Sequence, residues 1–417
     1  VNFNELPLDQ NILKVLAEIG YEKPTKIQKE AIPQIDADHD LLASANTGTG
    51  KTAAFLLPIL GFLMKNRAQK LGTPKALVLV PTRELALQVA EEAKKFSKYL
   101  NGLHTVCIVG GVPYPIQKKQ LSKPCDLLIA TPGRLIDQIE SGRINLSAVE
   151  VLILDEADRM LDMGFLPPVE QIASLTPKER QTLLFSATLK GEVLKLSKKL
   201  LKDPVTISAE EQVSLKDNIE QRLHIADNIE HKHLLLDSIL EDPTLELAIV
   251  FTATKRLAGQ LQKRLYDSGH KVGVLHGDLN QGQRTRTIDA MKKGRLKILV
   301  ATDVAARGID VQAISHVINF DLPNSAEDYV HRIGRTGRAG SKGVALSFAT
   351  TNEASLVYGI ERFIGGPLAQ HVIPGLEPAV KLFKKKEGAG VPSRSRAPRA
   401  GAGRFSRGKP SFKRSRY

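Results

Sequence analysis

The chain has 417 residues and 42% apolar side chains, which suits two or three domains with sizeable cores better than one. Its formal charge of +14 is concentrated at one end: from Lys381 onward 13 Lys or Arg residues face a single acid, Glu387, so a uniformly basic surface is excluded. The start lacks a basic, apolar leader, the longest apolar run (Phe55 to Met64) is interrupted by Pro58, and Cys107 and Cys125 fit neither a disulfide framework nor a zinc site, so a soluble cytoplasmic chain is expected, with no membrane contact.

In chain order, apolar runs predict strands at Asp40–Ala45, Ala76–Pro81, Thr105–Val109, Asp126–Ala130, Val151–Leu154 and Thr182–Phe185. A second series follows at Ala248–Phe251, Val272–Leu275, Ile298–Ala301, His316–Phe320 and Val344–Phe348. Near-continuous hydrophobicity marks strands covered on both faces, as in a parallel sheet. Between them, Leu85, Val89, Ala93, Phe96 and Leu100 repeat at helical spacing, as do Leu257, Leu261 and Leu265 before Gly269. Alternating strands and helices predict doubly wound α/β domains over 1–209 and 219–377. The polar stretch 210–218 reads as their linker, and 378–417, rich in Arg, Lys, Gly, Ser and Pro, as a disordered basic tail.

The first strand runs into Ala45-Asn46-Thr47-Gly48-Thr49-Gly50-Lys51-Thr52. A strand, a glycine-rich turn and a helix present backbone N–H groups to phosphate, with Lys51 reaching the β- and γ-phosphates and the Thr52 hydroxyl available to Mg²⁺. The bland alternative is a Gly-Thr turn before a helix. Val151–Leu154 then delivers Asp155-Glu156-Ala157-Asp158 at a strand end, where ligands of open α/β sheets collect. Asp155 suits Mg²⁺ through its water shell, and Glu156 suits the orientation or deprotonation of a water; alone, the quartet could equally be an acidic helix start. His331-Arg332-Ile333-Gly334-Arg335-Thr336-Gly337-Arg338 spaces three arginines by three residues. A basic surface helix is the ordinary explanation, but the glycines disfavour a helix interior, and the second half has no phosphate loop of its own. Arginines from a neighbouring domain stabilise charge on a transferring phosphoryl group.

With these motifs in place, the chain resembles the DEAD-box ATP-dependent RNA helicases from about Phe3 to Phe363, and within them most resembles the bacterial RhlE-type proteins through Asp155–Phe165, the compact core and the short basic tail. The resemblance implies two tandem RecA-like domains and the cofactors ATP and Mg²⁺. It implies that Gln28 reads adenine, that Tyr21 stacks on it and that Phe3 is the isolated upstream aromatic; Lys26, where the family has Pro or a small residue, should point away from the base. Ser186-Ala187-Thr188 would couple hydrolysis to domain closure, Asp303 would contact the ribose, Arg335 and Arg338 the γ-phosphate, and His331 would join the interdomain network.

An RNA groove is implied along Pro81, Thr82, Arg83, Gly110, Gly111, Thr131, Pro132, Gly133 and Arg134 in the first domain, and Gly277, Asp278, Gln281, Arg284 and Thr302 in the second. Helix N-termini and glycine N–H groups grip phosphate whatever the base, and 2′-OH contacts favour RNA over DNA. Glu84 is expected to hold its loop instead of meeting phosphate, and Arg83 and Arg134 have a purely structural alternative. The tail arginines, with Phe405 and Phe412, read as a nonspecific RNA tether or a solubilising end. Two rivals remain at this point, a DNA-translocating ATPase and a non-enzymatic RNA scaffold. A monomer is expected; ribosome assembly and mRNA decay are alternative settings.

Overall fold

The computed structural model describes residues 2–45, 49–189, 191–208, 218–306, 314–337 and 342–380. Asn46, Thr47, Gly48, Arg338, nearly all of the 210–218 linker and the tail from 381 lie outside the described residues.

Two seven-stranded sheets organise the chain, every strand pair in them parallel. The first holds β1 (Leu41–Ser44), β2 (Ala76–Leu79), β3 (Thr105–Ile108), β4 (Leu127–Ala130), β5 (Val151–Leu154), β6 (Gln181–Ser186) and β7 (Val205–Ser208), in the order β3-β4-β2-β5-β6-β1-β7. The second holds β8 (Ile219–Ile225), β9 (Ala248–Phe251), β10 (Val272–Leu275), β11 (Ile298–Ala301), β12 (His316–Asn319), β13 (Gly343–Ala349) and β14 (Ala369–Gln370), in the order β10-β11-β9-β12-β13-β8-β14.

Helices cover both faces of each sheet because successive strand residues point to opposite sides. Leu41, Ala43, Val78 and Ile153 enter one core of the first domain, whereas Leu42, Leu77, Leu152 and Leu184 enter the other. The helix Lys51–Lys65 lies in the first of these cores, with Phe55, Leu56, Leu57 and Leu60 fully buried around Pro58. Among the described residues no helix is long and apolar enough to cross a membrane. Cys107 and Cys125 are both free thiols.

The sequence patterns locate the central strands but miss β7, β8 and β14. These sit at or next to a sheet margin, where one side need not be apolar: β8 carries Glu220, Gln221 and Arg222, and β7 alternates exposed and buried residues. Marginal strands lose the unbroken hydrophobic run that identifies interior ones.

Asp40 pins β1, the strand that leads toward Gly50 and the Lys51–Lys65 helix. Its buried carboxylate accepts from Thr182 N and from Lys202 N, both at 2.7 Å, so β1 is tied at its start to β6 and to the turn before β7. Replacing it by Ala strands both amides. Asp40→Ala is expected to cost about 2–4 kcal/mol of unfolding free energy in urea titrations, with Asp40→Asn costing less. A loss below about 0.5 kcal/mol would mean that water takes over both bonds.

Candidate nucleotide and RNA sites

Parallel strands bring their carboxyl ends to one edge of a sheet, and ligands gather there. In the first domain the ends of β1, β6 and β5 are consecutive, so Lys51 and Thr52, Ser186–Thr188, and Asp155 and Glu156 are neighbours. The ends of β2, β4 and β3 continue the row with Pro81–Arg83, Thr131–Arg134 and Gly110–Gly111. One half of the edge thus collects the nucleotide motifs and the other half the candidate RNA loops.

Ala45 is buried and extends the β1–β6 pairing by donating to Ser186 O (3.0 Å). Gly50, next to Thr49, caps the Lys51–Lys65 helix at φ 87°, a left-handed backbone that favours glycine. A Cβ there would also lie 2.4 Å from Gln28 Nε2. Gln28 is buried, donates to Gly50 O (3.1 Å) and accepts from Thr25 N (2.9 Å), so the residue implied to read adenine is here bracing the phosphate loop and its own helix start. Tyr21 is half-buried between Phe3 and Phe96, with ring centroids 6.3 and 6.1 Å away, and Phe3 is part of the core. Lys26 points elsewhere, its ammonium 3.3 Å from Ser208 O.

Lys51, Asp155 and Glu156 are all buried. Burial pushes the Asp155 carboxyl up to about 6, against the pull of Lys51, and Glu156 adds to the rise. Burial also works against the Glu156 charge, but Arg159, Lys51, Arg335 and His331 together hold its carboxyl below the usual range. Glu156 occupies a left-handed backbone (φ 54°), a strained position for a residue with a side chain, as found at many functional sites. Arg159 fixes it through Nη1–Oε2 at 3.0 Å, both side chains being buried. Asp158 accepts from Ala187 N (3.1 Å), and the Ser186 hydroxyl donates to Thr188 O (2.7 Å), which links the acidic turn to the Ser-Ala-Thr turn.

The second domain meets this half directly. Arg159 lines a small cavity, about 10 Å³, with Phe251, Asp303, Asp328, His331, Arg332 and Arg335. Arg335 is buried, and its charge is felt at Glu156. Arg332 is buried as well: it grips Asp303 with two bonds of 2.6 and 2.7 Å and donates to Asn319 Oδ1 (3.0 Å) and Asp321 O (2.6 Å). The basic surface helix considered from sequence is therefore not what forms. Asp303, implied to contact ribose, is held by that arginine.

The candidate RNA half is clasped in the same manner. Glu84 Oε1 accepts from Gln281 Nε2 and Arg284 Nε across the domains, each at 3.2 Å, and Arg284 also donates to Ala305 O (3.1 Å). Gly111, at φ 73°, leaves room for Arg83 and Gln281; a Cβ there would fall 2.7 Å from Arg83 Nη1. Arg83 donates to Gly110 O (2.8 Å) and Arg134 to Val112 O (2.9 Å), so both brace loops. Thr82 caps the Arg83–Phe96 helix, Thr131 precedes Pro132 and Gly133 at the start of the Pro132–Glu140 helix, and Asn280 caps Gln281–Lys292. Gly110, Gly133 and Gly277 have open space at the Cβ position, Asp278 pairs with Lys255 (2.9 Å), and the Thr302 carbonyl accepts from Ala305 N and Ala306 N.

Sequence reasoning missed Arg159 and the inward role of Arg332. Three arginines at three-residue spacing do not say which one is buried, and Arg159 directly follows the acidic quartet without any pattern of its own. The signal available was chemical: a large cation beside four residues holding three acids.

A family signature described as DEAD/DEAH box helicase matches residues 25–196, and one described as helicase conserved C-terminal domain matches 230–340. The chain is 45% identical over 396 residues to the ATP-dependent RNA helicase SrmB of Haemophilus influenzae, covering 95% of this chain and 90% of that one. It is 43% identical over 386 residues to SrmB of Escherichia coli, covering 92% and 87%. Among solved structures, S. cerevisiae Dbp5 bound to RNA and ADP BeF3 superposes with a TM-score of 0.79 at 33% identity, covering 88% of this chain and 95% of that chain.

The surroundings of His331 predict a domain closure that is sensitive to pH. Burial, with Arg159, Arg335 and Lys51 facing it, pushes its imidazole down to about 3 despite Glu156 nearby. A base depressed in the closed state favours closure above its ordinary value of 6.5 and opposes it as pH falls below that. Interdomain energy transfer between dyes on the two domains should therefore report progressive opening of the wild type from about pH 6.5 toward 5. His331→Asn should remove that part of the profile, and an unchanged profile in the variant would exclude His331 as its source.

Proposed function

The chain belongs to the DEAD/DEAH box helicase family, and from that membership we infer an ATP-dependent RNA helicase that grips single-stranded RNA without regard to sequence and unwinds short duplexes or remodels RNA–protein complexes. It is an RNA-stimulated ATPase, taking ATP and water to ADP and phosphate. The observation that carries the reading is the meeting of the two domains over one row of strand ends: Arg159 shares a cavity with His331 and Arg335, whose charges act on Glu156, on one half, and Glu84 reaches Gln281 and Arg284 on the other.

The chemistry divides among residues of both domains, with limits near 1–209 and 219–377. The N-terminus of the Lys51–Lys65 helix and the Lys51 ammonium receive the phosphates. Arg335, with Arg338, stabilises charge on the γ-phosphoryl group from the second domain. Glu156, held ionised and aimed by Arg159, is suited to orient the attacking water more than to keep its proton. Asp158 and Ser186–Thr188 carry the state of that site to the domain interface. Gln28 and Tyr21 select adenine, with Phe3 packed behind Tyr21, and Asp303 meets the ribose.

A divalent cation fits the same pocket. Asp155 is a buried carboxylate whose proton affinity burial has raised, and Thr52, in the first turn of the helix after β1, belongs to the same row of strand ends. Thr52 and Asp155 would hold Mg²⁺, which would neutralise phosphate charge when bound.

RNA occupies the other half, where three helix N-termini and Gly110–Gly111 offer N–H groups to phosphates. A strand that bends to follow this groove departs from duplex geometry, so closure displaces its partner locally. ATP and RNA each favour the closed arrangement and thereby favour one another's binding. The relative bound to RNA and ADP BeF3 supports this coupling. Through Asp155–Phe165 the chain takes after RhlE-type members, and over most of its length it is similar to SrmB. A cytoplasmic monomer acting in ribosome assembly or mRNA decay, with the basic tail as an RNA tether, completes the reading.

Steady-state phosphate release should rise strongly with single-stranded RNA and little with single-stranded DNA of the same sequence. Equal stimulation would favour a DNA-translocating ATPase and remove the RNA claim. In a separate measurement, Glu156→Gln should lower the turnover rate by about 10²–10³-fold while retaining ATP binding. Turnover at the wild-type rate would assign the water to another residue.

A further inference from the structure

The helix Tyr114–Gln120 begins two residues after Gly110–Gly111, past Val112 and Pro113, and has a single buried residue, Gln117. Gln117 Nε2 donates to Val109 O (2.7 Å), while its Oε1 accepts from Arg134 (3.2 Å) and Gln138 (3.0 Å). The helix therefore hangs on a polar network and sends no apolar side chain into the core. Tyr114 and Ile116 remain 43% and 52% exposed, and Lys118 and Lys119 are exposed beside them.

Tyr114 is nonetheless held in place. Its hydroxyl donates to Asp137 (3.2 Å), the Arg134 guanidinium lies 4.5 Å from its ring centroid, and that of Arg143 lies 5.6 Å away. Arg134 is anchored in turn by Val112 O (2.9 Å) and Asp137 (3.4 Å). Arg143 is exposed and donates to Ser141 (2.9 Å).

We propose that Tyr114, Arg134 and Arg143 form a stacking platform for a base of single-stranded RNA, immediately beyond the phosphate-gripping loop Gly110–Gly111. The proposal rests on the RNA-helicase reading above and adds to it a contact with a base, where the groove itself meets only backbone. An orientated ring with guanidinium planes against it presents flat faces to any base, and such stacking tolerates every sequence. Arg134, Arg143, Lys118 and Lys119 outnumber the two acids of the Pro132–Glu140 helix, Asp137 and Glu140, which favours a polyanion over an apolar protein partner.

The test compares two fluorescent single-stranded RNAs long enough to pass the groove, identical except that one carries abasic residues, bound to full-length protein with a non-hydrolysable ATP analogue. Wild type should bind the base-bearing RNA about tenfold more tightly, the scale of one base–aromatic stack. Tyr114→Ala should erase most of that difference, Tyr114→Phe should keep it, and Arg143→Ala should reduce it. If Tyr114→Ala retains the full difference while RNA still stimulates the wild-type ATPase, the platform is overturned, the helicase reading stands, and the patch is left to a protein partner. If wild type neither binds RNA nor responds to it, both fall together.

Discussion

Charges held out of water where the two domains meet are the constraint on which the rest of the molecule depends. Lys51, Asp155, Glu156, Arg159 and Arg335 are buried, half-buried His331 acts on the same acids, and the opposite charges offset one another's desolvation. The sheets exist, from this viewpoint, to bring those groups together: only strand carboxyl ends on a parallel sheet deliver so many short loops to one line. Removing one member leaves its partners desolvated and uncompensated, so the cluster acts as a unit.

Arginines at the interface divide into two kinds under the same constraint. Arg332 and Arg284 are saturated by carboxylates and carbonyls, Asp303, Asp321 and Asn319 for the former, Glu84 and Ala305 for the latter. Arg332 thereby braces the second domain from within, whereas Arg284, through Glu84, ties that domain to the first. Arg159 and Arg335 face the acids of the nucleotide half and change the charge balance there. A guanidinium suits both duties because its planar fork fixes direction as well as charge.

Much of this was legible in the sequence, for identifiable reasons. Interior strands announce themselves because both faces are apolar, as at Val151–Leu154 and Ile298–Ala301. The glycine-rich turn before Lys51 and the acidic quartet stand out because nucleotide chemistry would require such residue types at such spacing. Ile219–Ile225 was not, since its place near the sheet margin admits Glu220 and Arg222. Nor was the Gln28 bond to Gly50 O, which joins residues twenty-two positions apart through a turn that no periodicity marks. The expectation that Glu84 holds its loop was sound in kind, but its partners come from the other domain and could only be seen once both sheets were assembled.

The strand order has an evolutionary corollary. With β5 standing between them, the loops after β2, β4 and β3 and those after β6 and β1 are carried by separate strands of one sheet. Lengthening or rewriting Val112–Gln120, for instance, touches none of β1, β5 and β6, whose ends lead to Lys51, Asp155 and Ser186. Descendants of such a scaffold are free to diversify what they hold while inheriting the engine unchanged.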